Sequence, residues 1–214
     1  MISYLLFDLD NTLYPSTSQI DSGITTRMIQ FIADFLHISY DEAENLRKKE
    51  LPNYGTTLEW LRSAEKLTDT DAYFNSVHPE SELNELPRLP QLRELLLSFK
   101  KPMSLLTNSP LRHAKRVLEF YNIQDLFLHV FDIEKNKMRG KPYPDSYTSA
   151  LEISGFTIDK TLFIDDHLKY IRGYSDLGGK AVLIDDKNHY TPEQIAKASP
   201  FAVIKRLEDL HALL

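Results

Sequence analysis

The sequence predicts an α/β fold in which a doubly wound parallel sheet carries a small α-helical cap, inserted after the first strand. Three features indicate this fold: strand-like apolar runs are separated by helical patterns, the runs are continuous, and one connection is far longer than the others. Continuous apolar runs are typical of strands covered on both faces, as in parallel sheets flanked by helices. The core is therefore expected to be Rossmann-like.

Five short apolar runs are predicted to form the sheet. They cover residues 4–7, 103–106, 127–131, 161–164 and 181–184. Apolar residues at helical spacing predict crossover helices over residues 92–99, 111–121 and 146–153. Pro110 and Pro144 stand near two of the helix starts, where a missing amide hydrogen costs little.

The connection from Tyr14 to about Pro90 is far longer than a crossover helix needs, so it is expected to be an insertion. Ser39 followed by Glu42 matches a capping box and predicts a helix start. Apolar spacing predicts four helices, around residues 24–36, 42–51, 58–64 and 73–77. We assign residues 1–14 and 90–214 to the core, and residues 15–89 to the cap.

Composition limits the possible functions. The 214 residues are enough for one α/β core with a small insertion, and 42% apolar with 26% charged residues is ordinary for a globular protein. The net charge of −6 and the lack of a basic tract argue against a nucleic-acid polymer as partner. The chain has no cysteine, which excludes disulfides, thiol nucleophiles and thiolate metal sites.

The location is expected to be cytoplasmic, with no membrane association. The apolar run before Asp8 is too short for a signal peptide, and no run approaches the roughly 20 residues that a membrane span requires. We expect a monomer or a homodimer.

Acidic residues follow the first predicted strand where it should leave the sheet. In an extended chain alternate residues share a face, so Asp8 and Asp10 point the same way while Leu9 points into the packing. Two carboxylates roughly 6 to 7 Å apart need a divalent cation, a proton or an ammonium group to offset their desolvation. Ligands of doubly wound sheets bind beyond the carboxyl ends of the strands. Polar residues in corresponding positions are Thr107, Asn108, Lys141, Asp165 and Asp166.

These residue types predict phosphoryl transfer assisted by Mg²⁺. Asp8 is the expected nucleophile, because an ionised carboxylate can attack a phosphoester and form an acyl phosphate. Asp10 is the expected general acid and base. Magnesium prefers oxygen ligands. The expected ligands are Asp8, Asp10 through its backbone carbonyl, Asp165 through water, and Asp166.

The substrate is expected to be a small phosphomonoester, held at the same edge of the sheet. Thr107 and Asn108 would orient the phosphate oxygens, partly through backbone amides, and Lys141 would offset their charge. Tyr14, beside the catalytic loop, is expected to line the substrate pocket.

The series Asp8-x-Asp10-x-Thr12, Thr107, Lys141-Pro142 and Asp165-Asp166 resembles the four motifs of the haloacid dehalogenase-like phosphohydrolase superfamily, over essentially the whole chain. The insertion after the first motif is similar to that superfamily's first type of cap. The segments FDLDNTLYP at residues 7–15 and YGTTL at 54–58, with Thr107-Asn108 and Lys141-Pro142-x-Pro144, look like the pyrimidine 5′-nucleotidase subgroup. That resemblance implies removal of phosphate from nucleotides similar to UMP and CMP.

Two residues depart from the subgroup, which usually has a small serine-like residue and an asparagine where this chain has His167 and Tyr170. We expect His167 to make an ordinary hydrogen bond rather than to bind metal. His113 is expected at a partly exposed helix position, and Trp60 is expected to pack in the core of the cap.

Several alternatives remain open. Within the enzymes they are a phosphatase of another metabolite, such as a sugar phosphate or phosphoglycolate, a phosphomutase, and a haloacid dehalogenase, which needs neither magnesium nor the acid at Asp10. Outside the enzymes, a receiver-like phosphoaspartate switch combines similar residues. Such a module needs no long helical insertion. A binding protein without turnover is a further option, against which Asp10 argues.

Overall fold

The computed structural model describes all 214 residues, which form two compact units. The first unit comprises Met1–Thr17 and Arg88–Leu214, and the second comprises Ser18–Pro87. The predicted boundaries, at residues 15 and 89, lie three and two residues from these. A role for the second unit as a cap stays a prediction.

A six-stranded parallel sheet forms the centre of the first unit, with strand order β3-β2-β1-β4-β5-β6. The predicted α/β fold with a parallel sheet is confirmed. The strands are β1 (Tyr4–Phe7), β2 (Met103–Leu106), β3 (Phe127–Phe131), β4 (Thr161–Asp165), β5 (Lys180–Ile184) and β6 (Ala202–Ile204).

The register of the sheet aligns the carboxyl ends of the central strands β1, β2 and β4. Phe7 pairs with Leu105 of β2 and with Ile164 of β4, and the amide of Asp8 donates to the carbonyl oxygen of Ile164 at 2.8 Å. Every residue of β1, β2 and β4 is buried, which is why their sequences read as continuous apolar runs. The residues that follow these strands therefore meet at one edge of the sheet.

Four helices of the second unit precede five of the first along the chain. They are α1 (Gln19–Leu36), α2 (Tyr40–Glu50), α3 (Thr57–Ser63), α4 (Thr70–Val77), α5 (Leu92–Ser98), α6 (Leu111–Phe120), α7 (Pro144–Ser154), α8 (Leu168–Ser175) and α9 (Pro192–Ala198). Short 3₁₀ turns lie at Leu51–Asn53, Glu80–Glu85, Gln124–Leu126, Ile158–Lys160 and Leu207–Leu213. No helix has both the length and the apolar character that crossing a membrane would require.

The second unit has its own hydrophobic core. Trp60 is fully buried, as expected, and the capping box of Ser39 and Glu42 is present at the start of α2. Arg27 of α1 donates to both carboxylate oxygens of Glu85, at 2.7 and 3.1 Å, and to the carbonyl oxygen of Val77 at 2.8 Å. These bonds tie the return segment of the insertion to its first helix.

Three elements of the first unit have no counterpart in the predicted series: α8, α9 and the sixth strand. Strand β6 has three residues and forms the outer edge of the sheet, where Val203 stays 40% exposed. So short a run carries too little apolar pattern to be distinguished from a loop.

Candidate active site

Lys141 is the central cation of a cluster at the carboxyl edge of the sheet. Its Nζ donates to Asp8 Oδ1 and to Asp165 Oδ2, both at 2.6 Å, and all three residues are buried. Burial opposes the charged form of Lys141, but the two carboxylates outweigh this effect and raise its pKa. Lys141 therefore stays positively charged between two anions.

The loop that carries Lys141 is attached to the end of β2 through Asn108. The Asn108 side chain donates to the Lys141 carbonyl oxygen at 2.9 Å and accepts from its amide at 2.8 Å. Gly140 permits this approach, because a Cβ at that position would lie 2.0 Å from Asn108 Oδ1. The side chain of Asn108 thus holds Lys141 in place. The predicted contact of Asn108 with substrate would therefore be made by the backbone of Asn108.

Three carboxylates, those of Asp8, Asp165 and Asp166, place oxygen atoms within 4.8 Å of one another. Burial raises the pKa of Asp8 to about 7, and the charges of Asp165 and Asp10 add to this while Lys141 opposes it. Burial, followed by the charges of Asp165 and Asp8, also raises the pKa of Asp166 well above its usual value. An oxygen-only site with excess negative charge fits the preferences of Mg²⁺.

The two oxygens of Asp165 are already engaged within the protein. Oδ2 accepts from Lys141, and Oδ1 accepts from the backbone amide of His167 at 2.8 Å. Both oxygens of Asp8 likewise accept, from Lys141 at 2.6 Å and from the Thr12 hydroxyl at 3.4 Å. The direct and water-mediated roles of these carboxylates at a cation stay predictions.

Asp10 accepts hydrogen bonds from three side chains. Ser109 Oγ donates to Oδ2 at 2.6 Å, His113 Nε2 lies 2.7 Å from Oδ1, and the Tyr14 hydroxyl donates to the same oxygen. Burial would raise the pKa of Asp10, but the charge of His113 and these three bonds outweigh burial and lower it. Asp10 is therefore ionised in the substrate-free protein.

The expectation for His113 was wrong. The residue is fully buried and its Nε2 contacts Asp10, because His113 lies in the first turn of α6, shortly after the loop that carries Thr107. Ser109 immediately follows Asn108 in the polar segment after the second strand, but the sequence predicted no role for it. A hydroxyl three residues beyond the end of β2 and a histidine one helical turn later are the signals that could have identified both residues.

Tyr14 and Thr107 have defined partners within the first unit. Tyr14 is 2% exposed and its hydroxyl is bound to Asp10, so its phenol ring supports the loop that carries Asp10. Thr107 Oγ1 accepts from the Ser109 amide at 3.0 Å and so shapes the turn after β2. A contact of either residue with substrate stays a prediction.

His167 caps α8. Its Nδ1 accepts from the amide of Lys169 at 3.2 Å, and its ring stacks on Tyr170 at 4.6 Å between centroids. This matches the expectation of an ordinary hydrogen bond. The pKa of His167 is lowered, mainly by burial, which favours the neutral ring that a capping acceptor needs.

In metal-free protein, Asp8 is expected to lower the free energy of unfolding as the pH rises. Because the pKa of Asp8 is raised from 3.8 to about 7, its contribution to stability is present below pH 4 and is lost as the pH rises through 7. Urea unfolding between pH 4 and 8 should therefore show Asp8→Asn gaining stability relative to wild type as the pH rises. Addition of Mg²⁺ should reduce the gain. If the difference in stability between Asp8→Asn and wild type did not vary with pH, the raised pKa of Asp8 would be contradicted.

Comparison with known proteins gives a consistent set of similarities. The sequence model of the haloacid dehalogenase-like hydrolases matches residues 2–175. Phosphate metabolism protein 8 of Saccharomyces cerevisiae is 25% identical over 228 residues, which cover 97% of this chain and 71% of that protein.

Solved structures share the fold over the whole chain. L-2-haloacid dehalogenase from Xanthobacter autotrophicus, with chloropropionic acid covalently bound, has 19% identity and a TM-score of 0.62, covering 100% of this chain and 98% of its own. The putative HAD-hydrolase YfnB from Bacillus subtilis, bound to magnesium, has 17% identity and a TM-score of 0.68, with the same coverage.

Proposed function

We infer the activity from one premise: the chain belongs to the haloacid dehalogenase-like hydrolase family. We propose that it is a magnesium-dependent phosphatase that hydrolyses small phosphomonoesters through an aspartyl phosphate on Asp8. Pyrimidine nucleoside monophosphates are the first candidate substrates, which makes a 5′-nucleotidase the most specific form of the proposal. We place the activity in the cytoplasm.

The carboxylate cluster around Lys141 carries this proposal. Asp8, Asp165 and Asp166 bring three carboxyl groups to one point, and the single positive charge of Lys141 cannot offset all three once they are ionised. Dehalogenation of a carbon centre has no use for a second cation, whereas transfer of a phosphoryl group does. Bound Mg²⁺ would neutralise the remaining charge and polarise the phosphoryl group.

Asp8 would act first. An Asp8 oxygen attacks phosphorus, the P–O bond to the alcohol breaks, and the phosphoryl group is left on the carboxylate. Lys141 holds Asp8 in place and offsets the charge on the phosphoryl oxygens. The hydroxyl of Thr107 and the backbone amide of Asn108 would orient those oxygens.

Asp10 would handle the protons. It must carry a proton to protonate the departing alkoxide, and it must be ionised to deprotonate the water that attacks the phosphorus of the acyl phosphate. The three donors on Asp10 favour the ionised form in the free protein. An arriving phosphate dianion raises the pKa of a neighbouring carboxyl, which favours the protonated form for the first step.

The substrate class rests on resemblance. The nucleotidase-like segments of the sequence favour pyrimidine nucleotides, and the name of the yeast relative associates that protein with phosphate metabolism. Sugar phosphates and phosphoglycolate are the next candidates.

A release assay tests the function. Purified protein with Mg²⁺ is expected to free inorganic phosphate from at least one member of a panel of nucleotides, sugar phosphates and phosphoglycolate, and a chelator should abolish the release. A phosphomutase would isomerise its substrate without free phosphate. A receiver-like switch would be stably labelled by a small phosphodonor without turnover. No phosphate release across the panel, or release unaffected by the chelator, would contradict the proposal.

A further inference from the structure

The loop after β5 binds the backbone and side chain of Ser16. Asp186 accepts from the Ser16 amide at 3.0 Å and from its hydroxyl at 2.6 Å, and Lys187 Nζ donates to the Ser16 carbonyl oxygen at 2.5 Å. Ser16 is 6% exposed, so these bonds satisfy polar groups that water barely reaches. We call Asp186 and Lys187 the Ser16 clamp.

The clamp is itself anchored to the sheet. Asp185, which directly follows β5, is 2% exposed and accepts from the amide of His189 at 2.7 Å. Lys205, beyond β6, donates to the Asp185 carbonyl oxygen and to Asn188 Oδ1, both at 2.6 Å. These hydrogen bonds fix the loop after β5 relative to the sheet, and with it the two residues that bind Ser16.

Ser16 is coupled to the proposed catalytic loop through two restricted residues. Pro15 has a fixed φ, and Tyr14, as the residue before proline, is confined largely to extended conformations. Few backbone torsions therefore remain between Ser16 and the Tyr14 ring. That ring lies at 6.4 Å from Tyr121, measured between centroids, and its hydroxyl donates to Asp10.

We propose that the Ser16 clamp is a positioning element that keeps the Tyr14 hydroxyl on Asp10, and that Asp186 is its principal residue. The inference rests on the proposed function, in which Asp10 transfers protons. Without the Tyr14 bond, the Asp10 carboxyl would be held by Ser109 and His113 alone and would shift. Misplacement of a catalytic group by about 1 Å can cost up to 10²-fold in rate. The contacts of the clamp are made to Ser16 and not to Asp8 or Asp10, so it would act on kcat and leave KM little changed.

A double-mutant cycle tests the coupling. Asp186→Ala and Tyr14→Phe are each expected to lower kcat by about 10-fold with KM within about 2-fold, and the double variant should be no slower than the slower single variant. Asp186→Asn keeps an acceptor for the Ser16 amide and should recover most of the kcat. Asp176→Ala, an exposed acid at the end of α8, is the control and should leave kcat unchanged.

A crystal structure of Asp186→Ala gives a readout that does not depend on activity. We expect the Tyr14 hydroxyl to be displaced from Asp10 there. Should this variant not fold, Ser16→Ala, which removes only the hydroxyl bond, takes its place in both experiments. An unchanged Tyr14–Asp10 contact, an unchanged kcat, or multiplicative losses in the double variant would overturn the clamp. Absence of phosphate release by wild type would instead overturn the proposed function. The position of the Tyr14 hydroxyl in the crystal structure would then be the only test of the clamp.

Discussion

Replacement of Asp8 by Asn is expected to abolish phosphate release, with a loss of at least about 1,000-fold in kcat. The amide of asparagine has nearly the same shape as the carboxylate but cannot attack phosphorus. The variant should also be no less stable than wild type at neutral pH without metal. It removes the buried carboxyl group of Asp8, which is costly to ionise and whose charge raises the pKa of Asp166. Steady-state kinetics and urea unfolding measure the two effects.

Asp132→Asn is a matched control for this variant. Asp132 directly follows β3 as Asp8 follows β1, and it is 1% exposed. Its Oδ1 accepts from the amides of Glu134 and Lys135, bonds that the oxygen of asparagine can keep. The control is expected to retain wild-type turnover. Phosphate release by Asp8→Asn at the level of the control would exclude Asp8 as the nucleophile.

Replacement of Lys141 by Met is expected to cost about 3–5 kcal/mol of stability in metal-free protein, as for other buried ion pairs that lose one partner. The fully buried ammonium is bound to Asp8 and Asp165, and methionine fills a similar volume without offsetting either carboxylate. The free energy of unfolding in urea measures the loss. Mg²⁺ should restore part of it, since the cation would supply the missing positive charge.

A second substitution separates charge from packing. Adding Asp165→Asn to Lys141→Met removes one uncompensated carboxylate, so the double variant should be more stable than Lys141→Met alone. If the cost came from lost packing, the second substitution would bring no recovery. If Lys141→Met were as stable as wild type, the stability of the carboxylate cluster would not depend on the positive charge of Lys141.

The sheet and the strand-end residues were accessible from the sequence for a simple physical reason. Strands buried on both faces are continuous apolar runs, and parallel register brings their carboxyl ends together, so Asp8 and Asp165 could be expected as neighbours. The short edge strand β6 has no such signal. Its pairing with β5 is decided by tertiary contacts rather than by its own three residues.

Residue contacts within the site depend on geometry that spacing does not encode. The pairing of the Asn108 amide with the Lys141 backbone needs the close approach at Gly140. The position of His113 depends on the direction in which α6 leaves the sheet. A helical histidine can face solvent or core with the same local sequence, and here it faces Asp10.

The most direct test of the proposed mechanism is to trap the phosphorylated protein. Wild type mixed with its best substrate and Mg²⁺, quenched in acid within one turnover and digested, should yield a phosphoryl group on the peptide that contains Asp8. The adduct should be cleaved by hydroxylamine, as an acyl phosphate is, and should be missing from Asp8→Asn. Phosphate release without any adduct, or an adduct on a different residue, would contradict nucleophilic attack by Asp8.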